Sequence, residues 1–299
     1  MAAIRAALDG HNRERPELLR RTHRRALRVI GLISVPVVAF LLLVQANMEN
    51  GIIVVQFLVL LGILDLLIWY WMTRPIRDAQ RALKARILPL AFSFGGKVTY
   101  RHGHDDSKLI DRLRATGLIA FSRAEADDGI AGSDGGVAYE LLEAVLVRGA
   151  GKSRQEQFRG LVFGFRREAA FPGLLLAARR PNALARLFGS GIGAELSELR
   201  SGRPEIDGLY AIRSDNPAAA LPLLGGNLVR ALDWLQETWP DGPAQLAFAE
   251  RDCLLLLPTT RNYFDLPSIR HDIDFTTHVE PMIWDLVRLL AIARLVRQV

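Results

Sequence analysis

Residues 102–106 read His-Gly-His-Asp-Asp and carry the side-chain types of a metal site. Imidazole nitrogens and carboxylate oxygens together suit zinc or iron, so the candidate ligands are His102, His104 and Asp106. A dinuclear hydrolase would use further histidines, and only two follow later in the chain. A solvated turn that leads into the next helix explains the same residues and is the preferred interpretation. The sequence therefore predicts no metal ion and no other cofactor.

Two glycine-containing stretches look like phosphate-binding loops. Residues 151–153 are Gly-Lys-Ser, but Leu146 stands five residues before Gly151, where such a loop has glycine, and a strand is predicted to follow. Residues 189–194, Gly-Ser-Gly-Ile-Gly-Ala, echo a dinucleotide fingerprint, which works only between a strand and a helix. Here a predicted helical stretch comes first. Both stretches are interpreted as loops.

No set of nucleophile, base and orienting group is evident in the sequence. Cys253 precedes an apolar run that reads as a core strand, where a thiol is usually inert. Ser214 and Asp215 close a predicted strand and suit a turn. No Gly-x-Ser-x-Gly pattern occurs. We predict no catalytic residue, and the chain leans toward a non-enzymatic function.

Two long apolar runs near the N-terminus determine how the rest of the chain is placed. A bilayer core about 30 Å thick needs roughly 20 helical residues, and residues 27–46 and 52–72 both satisfy this. A short polar turn at 48–51 joins them. The sequence therefore predicts an α+β protein, in which a two-helix transmembrane hairpin precedes a cytoplasmic, mainly antiparallel sheet with packed helices.

Asp65 is the one charge in the second run. A carboxylate near the bilayer centre costs roughly 2.5–3.5 kcal/mol on insertion scales, so it needs a partner. Counting inward from the outer face places Asp65 level with Ser34, which predicts a hydrogen bond between the two intramembrane polar residues. Self-association through Asp65 and a proton or ion pathway are the alternatives.

The positive charge lies beside the apolar runs. Residues 1–28 carry a net +5 and residues 74–86 a net +4, more together than the +6 of the whole chain. Arginine-rich flanks favour the cytoplasmic side, which predicts a multi-pass protein of the bacterial inner membrane with both termini in the cytoplasm. The expected partners are the lipid bilayer and other membrane proteins or the chain itself, and no nucleic acid is expected. Cys253, the single cysteine, suits a reducing compartment.

Four regions follow from these patterns. They are a basic N-terminal arm at 1–26, lying at the headgroups; the hairpin at 27–73; an amphipathic connector at 74–92; and the cytoplasmic domain at 93–299. Within the domain, alternating residues predict strands at 137–147, 158–165 and 173–178 and a hairpin over 245–257 that turns at 250–252. The acidic, glycine-rich stretch 125–136 is predicted to be a loop, and long helices are predicted at 227–239 and 277–299.

The strand and turn residues also carry a family resemblance. The stretch 158–163, Phe-Arg-Gly-Leu-Val-Phe, resembles a Phe-x-Gly-Leu-Phe-Phe strand, and Phe171-Pro172-Gly173 resembles its Phe-x-Gly continuation. With the two N-terminal spans, this is similar to the uncharacterised bacterial membrane proteins grouped as domain of unknown function 3137. The resemblance implies the same architecture and topology, and it implies no activity.

Two functions follow from these expectations. The first is a non-enzymatic, membrane-tethered interaction or scaffold module. The alternative is a membrane-bound enzyme or sensor that binds an anionic small molecule or a lipid headgroup, with Arg159, Arg213 and Asp215 as candidate ligand-binding residues.

Overall fold

The computed structural model of the chain describes residues 2–45, 51–93, 96–103, 108–180, 196–239 and 241–297, and its architecture is α+β, as predicted. The helices are α1 (Ala2–Gln45), α2 (Gly51–Met72), α3 (Arg74–Ala91), α4 (Lys108–Thr116), α5 (Pro204–Leu209), α6 (Pro217–Leu224), α7 (Asn227–Thr238) and α8 (Glu280–Arg297). The strands are β1 (Thr99–His102), β2 (Arg123–Asp134), β3 (Val137–Arg148), β4 (Gln155–Arg179), β5 (Ser197–Leu199), β6 (Tyr210–Ser214) and β7 (Gln245–Pro258).

The chain divides into two compact units. The first comprises Met1–Ile87 and Leu266–Val279, and the second comprises Leu88–Asp265 and Glu280–Val299.

In the first unit, the apolar stretches of α1 and α2 turn their side chains outward. The helical stretches Ala2–Leu43 and Val54–Ala91 each contain a segment long and apolar enough to cross a membrane. Leu32 and Leu66, for example, expose 78% and 70% of their surface. The two predicted apolar helices are therefore confirmed. Residues 46–50, which hold most of the predicted turn, lie outside the described residues.

Helix α1 does not end at the predicted boundary between arm and span. It runs through that boundary as one helix of 44 residues, roughly 66 Å long at 1.5 Å per residue. Near its start, Ile4, Ala7 and Leu8 are almost fully buried. Their spacing places them on one helix face, which is the pattern of a helix packed against protein. This part of α1 therefore buries an apolar face in protein, and its predicted position at the lipid headgroups stays a prediction.

The segment Leu266–Val279 lies against this first half of α1. The Asn12 side chain donates a hydrogen bond to the Ile273 carbonyl (2.9 Å) and accepts one from the Ile273 N–H (3.0 Å). Arg15 donates to the Ile269 carbonyl (3.3 Å). This segment, which the sequence assigned to the cytoplasmic domain, therefore belongs to the same unit as the N-terminal helices.

The second unit is built on one antiparallel sheet with strand order β1-β2-β3-β4-β6-β5, in which β7 also pairs with β4. The predicted loop at 125–136 is wrong, because most of it forms β2. This strand pairs with β1 on one side and β3 on the other. Pairing on both edges outweighs the low strand preference of its aspartates and glycines.

Strands β4 and β7 are each continuous where the sequence predicts a break. β4 runs for 25 residues past Pro172, and β7 runs for 14 residues through the predicted turn at 250–252. The two polar interruptions lie opposite each other, since Phe171 pairs with Glu250. The pairing register shifts on both sides of Phe171, so bulges absorb the interruptions without ending either strand.

Helices cover both faces of this sheet. On one face, α4 buries Leu109 and Leu113 against a cluster that includes Leu142 and Val162. On the other face, Tyr139 and Phe165 lie beside residues 290–294 of α8.

Candidate functional site

Two polar regions lie on opposite faces of the sheet. Successive strand residues point to opposite faces, and β1 accordingly directs Arg101 to one region and His102 to the other. The first, here called the basic cleft, lies beside α4 and is lined by four cationic side chains with two acidic ones. The second, here called the His102 cluster, consists of His102, Asp127 and Asp128.

A β-bulge in β2 creates the His102 cluster. The pairing of β2 with β3 shifts by one residue between Ala126 and Gly129. Asp127 and Asp128 therefore stand opposite a single residue of β3, Glu143. In a regular strand two neighbouring side chains would point to opposite faces, and the extra residue lets both carboxylates reach the same histidine.

The distances within the cluster are short. His102 Nδ1 lies 2.7 Å from Asp128 Oδ1 and 3.6 Å from Asp127 Oδ1. Asp128 is fully buried and also accepts a hydrogen bond from the Tyr100 hydroxyl (2.5 Å). Asp127 is exposed, and the Asn262 amide donates to its second oxygen (3.4 Å). The cluster thus joins a buried carboxylate to one that solvent can reach.

Glu143 adds a third carboxylate beside the cluster. Burial, together with the negative charges of Asp127 and Asp128, raises the pKa of Glu143 to about 7. Hydrogen bonds from the backbone N–H groups of Phe264 and Tyr263 partly oppose this rise. A proton is therefore held at this position near neutral pH, in a place where three carboxylates converge.

The metal ligands predicted from the sequence and this cluster have one residue in common. His102 belongs to it, whereas His104 and Asp106 lie outside the described residues. The sequence missed Asp127 and Asp128, because they stand in the stretch interpreted as a loop. Their adjacency was visible, but the strand register that places them beside His102 was not.

The basic cleft has a volume of about 870 Å³ and opens beside α4. Its charged lining comprises Arg101, Lys108, Arg112 and Arg166, with Asp111 and Glu140. Cations thus outnumber carboxylates in the lining, which favours an anionic ligand over a cationic one.

Arg112 is the structural centre of this cleft. It donates one hydrogen bond to Glu140 on β3 (2.9 Å) and another to Asp252 on β7 (2.8 Å). All three side chains are between 23% and 30% exposed. A guanidinium with its fixed fork can hold two carboxylates at once, so Arg112 ties α4 to two strands of the sheet.

The structure does not bring the predicted anion ligands together. Arg159 lies near the start of β4 and pairs with Glu156 (2.7 Å). Arg213 lies on β6, which pairs with the far end of β4. The Asp215 carboxylate accepts the Leu174 N–H (2.7 Å). Strand β4 separates the first arginine from the other two residues because it is continuous, whereas the sequence had broken it in two.

Three other candidate motifs from the sequence lie in turns or strands of the fold. Residues 151–153 form a short 3-10 turn before β4, and no helix follows them. Cys253 is buried within β7, and this burial raises the pKa of its thiol. The Ser214 hydroxyl accepts the Asn216 N–H (3.0 Å) at a turn. Residues 189–194 lie outside the described residues.

In the first unit, the predicted intramembrane pair is present. The Ser34 hydroxyl donates a hydrogen bond to Asp65 Oδ1 (2.7 Å). His23 on α1 stacks on Trp69 of α2 with 5.3 Å between ring centres. These side-chain contacts join α1 to α2 at two levels.

Comparison with known proteins adds little. No family model matches the chain, and no curated protein matches it. Among solved structures, mycobacterial trehalose monomycolate transport factor A, TtfA, is similar over 68% of this chain and 90% of its own, with 14% identity and a TM-score of 0.34.

Proposed function

We propose that this chain is an integral protein of the bacterial inner membrane that acts as a non-enzymatic, membrane-tethered interaction module. One observation carries the proposal: α1 and α2 expose large apolar side chains over lengths that match a bilayer. Such a surface is stable in lipid and is costly in water. The resemblance to the proteins grouped as domain of unknown function 3137, carried by residues 158–163 and 171–173, is part of the same proposal.

Aromatic residues mark the end of the proposed span, and the arginine-rich segments beside it support the orientation in which both termini are cytoplasmic. Trp69, Tyr70 and Trp71 end the apolar part of α2, and tryptophan and tyrosine favour the membrane–water boundary. The Arg77 guanidinium lies 4.1 Å from the centre of the Tyr70 ring and donates to the Thr73 hydroxyl (3.1 Å). The arginine-rich flanks adjoin this boundary.

Cysteine accessibility tests this topology. The native Cys253 is buried, so it gives a low background with a membrane-impermeant maleimide. We expect Glu49→Cys to be labelled from the periplasmic side of intact cells and Ala85→Cys, exposed on α3, to be labelled only after the membrane is opened. The reverse pattern would contradict the orientation, and release of the protein by alkaline carbonate would contradict the membrane anchor.

Gentle purification tests the interaction role. We would extract the full-length, C-terminally tagged protein in mild detergent and measure its native mass. A stoichiometric membrane-protein partner or a defined homo-oligomer supports the proposal. A matched control fuses residues 1–92 to an unrelated soluble domain, and retention of the partner by this control would assign recognition to the hairpin. A monomer that carries only lipid would count against the proposal.

A second candidate function is favoured by the basic cleft. Its four cationic residues suit an anionic small molecule or a lipid headgroup. A ligand at a hundred times its Kd stabilises the folded protein by about 2.7 kcal/mol. We expect phosphate, citrate or an anionic lipid to raise the unfolding temperature of the full-length protein, and Arg166→Gln to reduce the rise. Arg159→Gln, a change outside the cleft, is the control. An equal response in both variants would contradict this function.

A further inference from the structure

The bulge in β2 gathers side chains that bind metal ions. His102 Nδ1 and one carboxylate oxygen each from Asp127 and Asp128 all lie within 4.8 Å of one another. We propose that these three residues form a binding site for a divalent transition-metal ion. The inference concerns the second unit alone and does not depend on whether the helices of the first unit span a membrane.

The spacing of the three ligand atoms suits one ion. Metal–ligand bonds of about 2.0–2.2 Å at tetrahedral or octahedral angles place neighbouring ligand atoms roughly 3–3.5 Å apart. The separations from His102 Nδ1, 2.7 Å to Asp128 and 3.6 Å to Asp127, lie on either side of this range. The 2.7 Å contact is a hydrogen bond between His102 and Asp128, and an ion bound between the two side chains would replace it.

Neighbouring groups hold the ligands in position. The Tyr100 hydroxyl donates to the buried Asp128 carboxylate (2.5 Å), and Asn262 donates to the oxygen of Asp127 that does not face His102 (3.4 Å). The Gly103 N–H donates to the Asp127 carbonyl, which fixes the bulge beside β1. Hydrogen bonds that orient ligating side chains are typical of protein metal sites.

The ligand set selects the class of metal. One imidazole and two carboxylates suit Zn²⁺ or Mn²⁺, whereas Cu⁺ prefers sulfur and Mg²⁺ prefers oxygen alone. Asp127 and His102 expose 52% and 40% of their side chains, so an ion can enter from solvent and keep water as a further ligand.

Metal binding to the full-length protein in detergent tests the site. After treatment with a chelator, the protein is dialysed against Zn²⁺ or Mn²⁺ and the bound metal is measured by elemental analysis. For Mn²⁺, loss of the free-ion paramagnetic resonance signal is a second readout. We expect about one ion per chain. His102→Gln and Asp127→Asn should each weaken binding at least roughly tenfold.

Both substituted side chains are partly exposed, so these variants are expected to fold. Asp241→Asn, an exposed position outside the cluster, is the matched control and should bind like the wild type. Far-UV circular dichroism checks the fold of each variant. Absence of bound metal in the wild type overturns the proposal. Undiminished binding by Asp127→Asn also overturns it, and loss of binding in His104→Gln alone would then assign the ion to residues 102–106.

Discussion

The two faces of the sheet hold carboxylates in different ways. On the face that carries α4, Glu140 and Asp252 share the guanidinium of Arg112. On the opposite face, Asp127 and Asp128 converge on His102, with Glu143 beside them. A guanidinium is always protonated, whereas an imidazole can give up its proton. The Arg112 face is therefore built as a permanent tie, whereas the His102 face gathers its carboxylates around an imidazole and is the proposed site for a cation.

The largest expected effect comes from removing the permanent tie. Arg112→Met leaves two partly buried carboxylates without their shared cation. Breaking a fully buried pair costs about 3–5 kcal/mol, and partial exposure reduces this to about 2 kcal/mol here. Urea unfolding of the full-length protein in detergent, followed by circular dichroism, measures the loss. Arg159→Met, at an exposed pair, is the control and should cost less than about 1 kcal/mol.

Removing the carboxylates as well should restore part of the loss. In the triple variant Arg112→Met, Glu140→Gln and Asp252→Asn, no partly buried carboxylate is left without a cation, and the exposed Arg166 loses its 3.8 Å ion pair with Asp252. We expect the triple variant to be about 1 kcal/mol more stable than Arg112→Met alone. If the triple variant were the less stable of the two, the penalty would lie in lost packing of the Arg112 side chain instead.

The opposite face should respond to pH. The pKa of Glu143 is about 7 in the folded protein and near its usual 4.5 in the unfolded chain. Between these values the folded state binds more protons, so stability falls as pH rises from about 5 to 7.5. Because Glu143 is partly solvated, the loss should be about 1–2 kcal/mol. Urea titrations across this range should show a slope that Glu143→Gln flattens, and an unchanged slope would contradict the assignment.

Asp65 in the hairpin is a carboxylate held in a third way, and the smallest effect on stability is expected there. It accepts a hydrogen bond from the Ser34 hydroxyl, a neutral donor in place of an arginine or histidine. Hydrogen bonds between membrane helices contribute about 0.6 kcal/mol on average. Ser34→Ala should therefore lower the stability of the hairpin by roughly that amount, measured by unfolding in mixed micelles. Ser93→Ala, two residues after the end of α3, is the control outside the hairpin pair.

Sequence patterns predicted the features that depend on composition and periodicity. The apolar runs required two long helices, and equal depth paired Ser34 with Asp65. Alternation along 137–147 and helical spacing along 227–239 matched β3 and α7. In each case, the residues of a single segment or of two adjacent segments are enough to predict the feature.

Features that depend on strand register were missed. The sequence broke β4 near Pro172 and interpreted β2 as a loop, because polar and glycine residues there outweigh the local strand signal. Whether these segments form strands depends on hydrogen bonding to neighbouring strands on both sides. The residues of one segment alone do not show that pairing. The one-residue shift that joins Asp127 and Asp128 to His102 is of the same kind.

The continuous helix α1 has a mechanical consequence. Asn12, which is bonded to Ile273, lies 15 residues before Leu27, where the apolar part begins; this distance is roughly 22 Å along the helix. Transmembrane helices tilt to match bilayer thickness. A tilt change on the order of 10° about Leu27 would swing Asn12 sideways by roughly 4 Å. The helix would then act as a lever arm, through which a thinner or thicker bilayer displaces the Leu266–Val279 segment.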